Sequence, residues 1–83
     1  MWDAQFEETL RTMLPFLPPG EALDPDRELK DLGLDSLGTV QLLAVLEDAY
    51  QVRFRDSDLT METFRTPRVL WDTLESMLQR AAS

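Results

Sequence analysis

The chain has 83 residues, 43% of them apolar, with sixteen Asp/Glu against eight Lys/Arg for a net charge of -8 at pH 7. At the low end of a domain scale centred on about 100–200 residues, it has room for one small core and little for a pocket that both binds substrate and houses catalytic groups. With no cysteine and no histidine it also lacks the means for a disulfide, a thiolate or imidazole metal site, a cysteine nucleophile or a Ser-His triad, which leaves a binding, carrying or interaction role.

We therefore expect a single domain over residues 1–83. Its charge is uneven: residues 1–50 hold eleven acidic and three basic side chains, whereas residues 51–83 hold five of each. An acidic first half opposes binding to nucleic acid or anionic membranes and attracts basic partners. No apolar run approaches the ~20 residues of a spanning helix. Met1-Trp2-Asp3 leads into no basic segment followed by an apolar one, so the expectation is a cytoplasmic protein without membrane insertion.

Phe6, Leu10, Met13 and Leu14 stand at i, i+4, i+7 and i+8, the spacing of one helical face, with Asp3 as a candidate cap and Pro15 as the stop. From Pro15 to Asp35 the breakers Pro15, Pro18, Pro19, Gly20 and Pro25 predict a loop. Its length exceeds the ~12–15 residues common in compact domains. Phe16, Leu17, Leu23, Leu29, Leu32 and Leu34 are candidate anchors for it, with a helical turn near Glu28–Asp31. Ser36–Tyr50 contains no proline and carries Leu37, Val40, Leu43, Ala44 and Leu46 at helical spacing, widened by Leu42, Val45 and Ala49. This is expected to be the best-buried helix.

Val52 and Phe54 alternate with Arg53 and Arg55 in what reads as an extended connector. Ser57 or Asp58 is placed to start a short third helix through Thr63, turning Leu59, Met61 and Phe64 inward. Thr66-Pro67 is a start signal, an N-cap residue followed by proline at the first helical position. The last helix shows Leu70, Trp71, Leu74, Met77 and Leu78 on one stripe and is expected to fray at Ala81-Ala82-Ser83. The predicted fold is all-α: four helices, the third short, with a long loop between the first and second.

One local feature stands out, Gly33-Leu34-Asp35-Ser36-Leu37, where the long loop meets the most apolar helix. Ser and Asp are both common N-caps. The capping box is incomplete, because Gly38 follows Asp35 by three and Thr39 follows Ser36 by three, where Glu or Gln would close it. The second reading of Ser36 is an attachment point, since a helix N-terminus favours negative charge such as a phosphodiester.

The stretch Asp35–Tyr50, DSLGTVQLLAVLEDAY, resembles the start of the second helix of phosphopantetheine-dependent carrier proteins, and the expected order of helices extends the likeness over nearly the whole chain. The resemblance implies a four-helix bundle of acyl-carrier type in which Ser36 receives covalent 4'-phosphopantetheine from coenzyme A and Asp35 helps present it. The arm's thiol would hold an acyl or aminoacyl group as a thioester, and partner enzymes would do the chemistry. Implied partners are a phosphopantetheinyl transferase and an adenylating ligase or acyltransferase acting on a monomer. The implied docking surface is the second helix and its flanks, with Asp31, Asp35, Leu37, Glu47 and Asp48 as candidates, joined by Met61, Phe64 and the Arg53/Arg55 connector.

Fatty-acid-type carriers often have acidic residues just after Leu37 and three further on, where this chain has Gly38 and Gln41. Together with Ser57-Asp58-Leu59-Thr60 and Phe64-Arg65-Thr66-Pro67, this looks closer to D-alanyl carrier proteins and stand-alone aminoacyl carriers. Some of those serve polyketide, macrolactam or nonribosomal pathways, which implies an amino acid as cargo in antibiotic-type biosynthesis.

Two rivals fail on the residues. Asp24, Asp26, Glu28 and Asp35 match positions 1, 3, 5 and 12 of an EF-hand loop, but Pro25 and Leu29 occupy positions 2 and 6, and Asp35 replaces the bidentate Glu. Carboxylate pairs for hydrolysis come with no pocket-forming segment. An acidic helical adaptor for a basic partner, carrying no cofactor, fits the composition equally and differs in having no need of the Ser36 hydroxyl.

Overall fold

The computed structural model describes residues 2–82, with side chains described for residues 2–80. Three α-helices are present among them: α1 (Ala4–Thr12), α2 (Ser36–Tyr50) and α3 (Pro67–Ala82), with single 3-10 turns at Leu29–Leu32 and Asp56–Asp58. There is no strand among the described residues.

α1 begins where Asp3 Oδ1 accepts from the Phe6 N–H at 2.8 Å, and it ends at Thr12, ahead of the proline. Its face Phe6, Leu10 and, just beyond, Leu14 is buried as the spacing predicts. α3 starts at Thr66-Pro67, with Thr66 Oγ1 accepting from the Val69 N–H at 3.3 Å. Leu70, Trp71, Leu74 and Met77 are buried on its inner stripe, and Leu78 packs half-buried beside them. The Phe6 and Trp71 rings meet at 5.0 Å, joining α1 to α3 through the core. Each such side chain removed from water contributes about 1.5–3 kcal/mol before the entropy of ordering is counted. α3 continues through Ala82, and Ser83, where fraying was expected to reach, lies outside the described residues.

α2 is not the best-buried helix. Only Leu42 and Leu46 are fully enclosed, while Leu37 is 67% exposed and Val40 and Val45 are also exposed. Because Leu42, Val45 and Ala49 widen the apolar stripe read from Leu37, Val40, Leu43, Ala44 and Leu46, the pattern marks the inner face only weakly. The chain turns the Leu42/Leu46 edge to the core and leaves the Leu37/Val40 side outward. Gln51 closes α2 in a left-handed conformation (φ 54°), and the Tyr50 hydroxyl donates to Asp3 Oδ1 at 2.6 Å, tying the end of α2 to the start of α1. Burial first, and then the Asp3 carboxylate, push the Tyr50 phenol above its usual value, so it stays a donor.

The third helix expected over residues 57–63 is replaced by the 3-10 turn and a run of turns. The Asp58 carboxylate reaches back to the Arg55 N–H at 3.3 Å, and Thr60 Oγ1 accepts from the Thr63 N–H at 3.2 Å. Such side-chain bonds to nearby backbone compete with the helical ladder. Thr63 is buried, Leu59 and Met61 point outward, and Phe64 is half-buried and stacked 6.0 Å from Phe54.

The long loop is ordered, with Leu23, Leu29, Leu32 and Leu34 buried as anchors and the predicted turn present at Leu29–Leu32. Phe16 does not join them; it is 71% exposed, held outward because its N–H donates to the Leu32 carbonyl and Pro15 packs on Gly33. Gly33 has φ 100°, and a Cβ there would stand 2.6 Å from Pro15 Cγ, so only glycine suits this turn. Two bonds fasten the loop to the start of α3: Leu29 N–H to Arg65 O (2.8 Å) and Arg68 N–H to Pro25 O (3.1 Å). The Arg68 guanidinium adds a two-pronged contact to Asp26, at 2.8 and 3.2 Å.

Candidate functional site

The loop's last anchor, Leu34, and the buried Leu42 of α2 fix the two sides of the junction at residues 35–36. There the capping role falls to Asp35. Its backbone is extended, its Oδ1 accepts from the Gly38 N–H at 2.6 Å, and its carbonyl accepts from both the N–H and the hydroxyl of Thr39 at 2.8 Å. Gly38 suits this: a Cβ there would stand 3.1 Å from Asp35 Oδ1 and 3.3 Å from Leu34 Cδ1, both tight. Ser36 is consequently the first residue of α2, exposed, with no hydrogen-bond partner for its hydroxyl among the described residues. The polarity of the helix favours an anion at that oxygen.

A groove of about 830 Å³ opens beside Ser36, floored by apolar side chains including Val40, Leu43, Leu59, Met61 and Phe64. Of the residues singled out in the sequence, it brings together Asp35, Ser36, Met61 and Phe64. Met61, 92% exposed, forms its lip. Leu37 sits exposed outside its lining, and Asp31 lies exposed on the Leu29–Leu32 turn.

Glu47 and Asp48 are eleven and twelve residues beyond Ser36 on α2, about 16–18 Å along the helix. They line a separate shallow cleft with Gln51, Val52 and Arg53. Glu47 also has a structural task, since its Oε2 accepts from the Phe54 N–H at 2.8 Å and holds the connector. Arg55 lies in neither cleft.

Apart from Asp35, sequence reasoning did not place the charged side chains of the groove, Glu28, Lys30, Glu62 and Arg65, at the site. Glu28 Oε1 lies 3.4 Å from Arg65 Nε and 3.9 Å from Lys30 Nζ. No local signal in the chain joins residues 28 and 65.

An exposed hydroxyl without a partner, at an anion-favouring helix start and beside an apolar groove, can be esterified by a phosphate and can let an attached chain rest along the protein surface. None of the groove's residues forms a nucleophile-and-base pair, and no cluster able to hold a metal ion occurs among the described residues. No helix among them is long and apolar enough to cross a membrane.

The sequence matches the family described as phosphopantetheine attachment site over residues 4–74. The fold is similar to a carrier-sized chain in the crystal structure of an engineered Bradyrhizobium japonicum glycine:[carrier protein] ligase complexed with carrier protein from Agrobacterium tumefaciens and ATP. The TM-score there is 0.76 at 26% identity, over 88% of this chain and 95% of that one. The corresponding complex with AMP gives 0.76 and 26% over 87% and 96%. A chain in the crystal structure of Bradyrhizobium japonicum glycine:[carrier protein] ligase complexed with glycylated carrier protein shares the fold, with a TM-score of 0.65 and 22% identity over 87% of this chain and 99% of that one. No curated protein matches the chain.

Proposed function

Because this chain belongs to the phosphopantetheine attachment family, whose domains carry covalent 4'-phosphopantetheine and act as non-catalytic carriers, we propose that Ser36 is the attachment residue of a single-domain aminoacyl carrier. The observation that supports this reading is the Ser36 hydroxyl, exposed and unbonded at the first position of α2 while Asp35 performs the capping.

In the attachment step Ser36 Oγ forms a bond to a phosphorus of coenzyme A, its proton passes to a base of the transferase, and the nucleotide part of coenzyme A departs. Asp35 holds the first turn so that this oxygen faces outward. Once bound, the arm supplies a thiol that holds cargo as a thioester. This chain's own residues position it and present a surface to the enzymes that load and unload it. The cargo we propose is a small amino acid, following the likeness to carriers complexed with a glycine:[carrier protein] ligase. The pathway we propose is natural-product biosynthesis of polyketide or nonribosomal type, in the cytoplasm. Docking is assigned to Asp31, Leu37, Glu47, Asp48, Met61 and Phe64, of which Leu37 and Met61 are largely exposed, as are Asp31 and Asp48.

The test is intact mass after incubation with coenzyme A and a promiscuous phosphopantetheinyl transferase, with Ser36→Ala alongside. One phosphopantetheinyl group gained by the native chain and absent from the variant is the expected result. No gain, with a control carrier modified in parallel, would overturn the attachment and turn attention to an acidic adaptor. Loading of the modified protein by adenylating ligases supplied with single amino acids then reads out the cargo.

A further inference from the structure

Two of the hydroxyls lining the groove beside Ser36 are already engaged. Thr39 Oγ1 donates to the Asp35 carbonyl, and the Thr60 and Thr63 hydroxyls pair with each other at 3.1 Å. From Ser36 to Leu46 α2 carries no charged side chain. The cations lining the groove are Lys30, from the long loop, and Arg65, just ahead of α3.

Both are loosely engaged. They share Glu28 Oε1 at 3.9 and 3.4 Å, and Arg65 Nη1 stands 3.6 Å from Glu62 Oε2. The Lys30 side chain is 73% exposed and that of Arg65 is 56% exposed, so neither neutralises a buried charge. Ion pairs this exposed and this long contribute little to stability and are readily exchanged for a better acceptor.

We infer that Lys30 and Arg65 bind the phosphodiester joining the prosthetic arm to Ser36, exchanging Glu28 for it. This rests on the attachment at Ser36 proposed above. A phosphodiester carries one negative charge over two unbridged oxygens. A planar guanidinium matches that pair of oxygens geometrically, and an ammonium adds a point charge. The start of α2 adds its own attraction for the anion. Held so, the root of the arm leaves the protein in a set direction across the apolar floor, and a partner's own cations can release it by competing for the same oxygens.

The experiment is phosphorus NMR of the holo-protein, comparing the native chain with Lys30→Gln/Arg65→Gln and with Glu28→Gln, each checked for native circular dichroism. In the native protein the phosphodiester resonance is expected to stand apart from its position in the denatured chain and to move towards it in high salt. In the double variant it is expected near the denatured position and indifferent to salt. Glu28→Gln, which removes the competing negative charge, is expected to move it the opposite way and to raise the salt needed. The same resonance and salt response in all three proteins would overturn the inference while leaving attachment at Ser36 intact. A chain that gains mass in no variant and shows no phosphorus signal would overturn both.

Discussion

Asp35 and Ser36 are adjacent residues that can each cap a helix, and the backbone assigns the work to one of them. An extended Asp35 places its carboxylate on the Gly38 N–H, so the serine begins the helix and its hydroxyl is left over. The two substitutions should therefore separate. Asp35→Ala is expected to cost about 1 kcal/mol in denaturant unfolding through the lost cap. Ser36→Ala, which removes no hydrogen bond, should leave stability within about 0.5 kcal/mol while abolishing the mass gain. Equal destabilisation by both would mean that the serine shares the cap. The Asp-Ser-Leu segment was legible in the sequence because caps act over three residues of chain. Lys30 and Arg65 were not, because their place at the groove depends on Glu28 meeting a side chain thirty-seven residues away.

Helices α1 and α3 followed their patterns because each alternates apolar and polar faces, so a single rotation buries one face and wets the other. In α2 the apolar residues spread over a wide arc, so several rotations fit the pattern, and the exposed Leu37/Val40 side was misplaced inward in the sequence for that reason. The consequence is measurable: Leu42→Ala should cost about 2–5 kcal/mol, whereas Leu37→Ala and Val40→Ala should each stay within about 0.5 kcal/mol. If the exposed side serves partners, the latter two should instead slow loading by the ligase. A large stability loss at Val40 would show that this side is covered in solution. The segment 57–63 failed as a helix for a local reason. Its Asp58 and Thr60 side chains bond to the backbone of their own turns, and a spacing argument that attends only to apolar residues does not see that competition.

In the whole molecule, a loop of some twenty residues is made part of a compact body. The radius of gyration, 12.1 Å, matches the ~12 Å of a packed chain of this length. A strap between Asp26 and Arg68 also crosses it, and its guanidinium holds the Asp26 carboxyl below its usual range, as the hydrogen bonds from Trp2 and then Arg11 do for Glu7. A carboxylate whose folded value is depressed contributes stability that is complete above its ordinary titration, near pH 4, and is lost as pH falls through the lower folded value. Unfolding followed from about pH 6 to about pH 3 should show that loss, and Arg68→Gln should flatten it. An unchanged slope in the variant would mean that the strap is screened away in solution.

Local chemistry settles the starts of α1, α2 and α3, the turn at Leu29–Leu32 and the candidacy of Ser36, because caps, prolines and helical spacing act between residues a few positions apart. Which side of α2 faces inward, where Phe16 points and which charges gather beside Ser36 came only from the folded chain. Those features depend on residues such as 26 and 68, or 28 and 65, that burial of a shared core brings together from distant parts of the sequence.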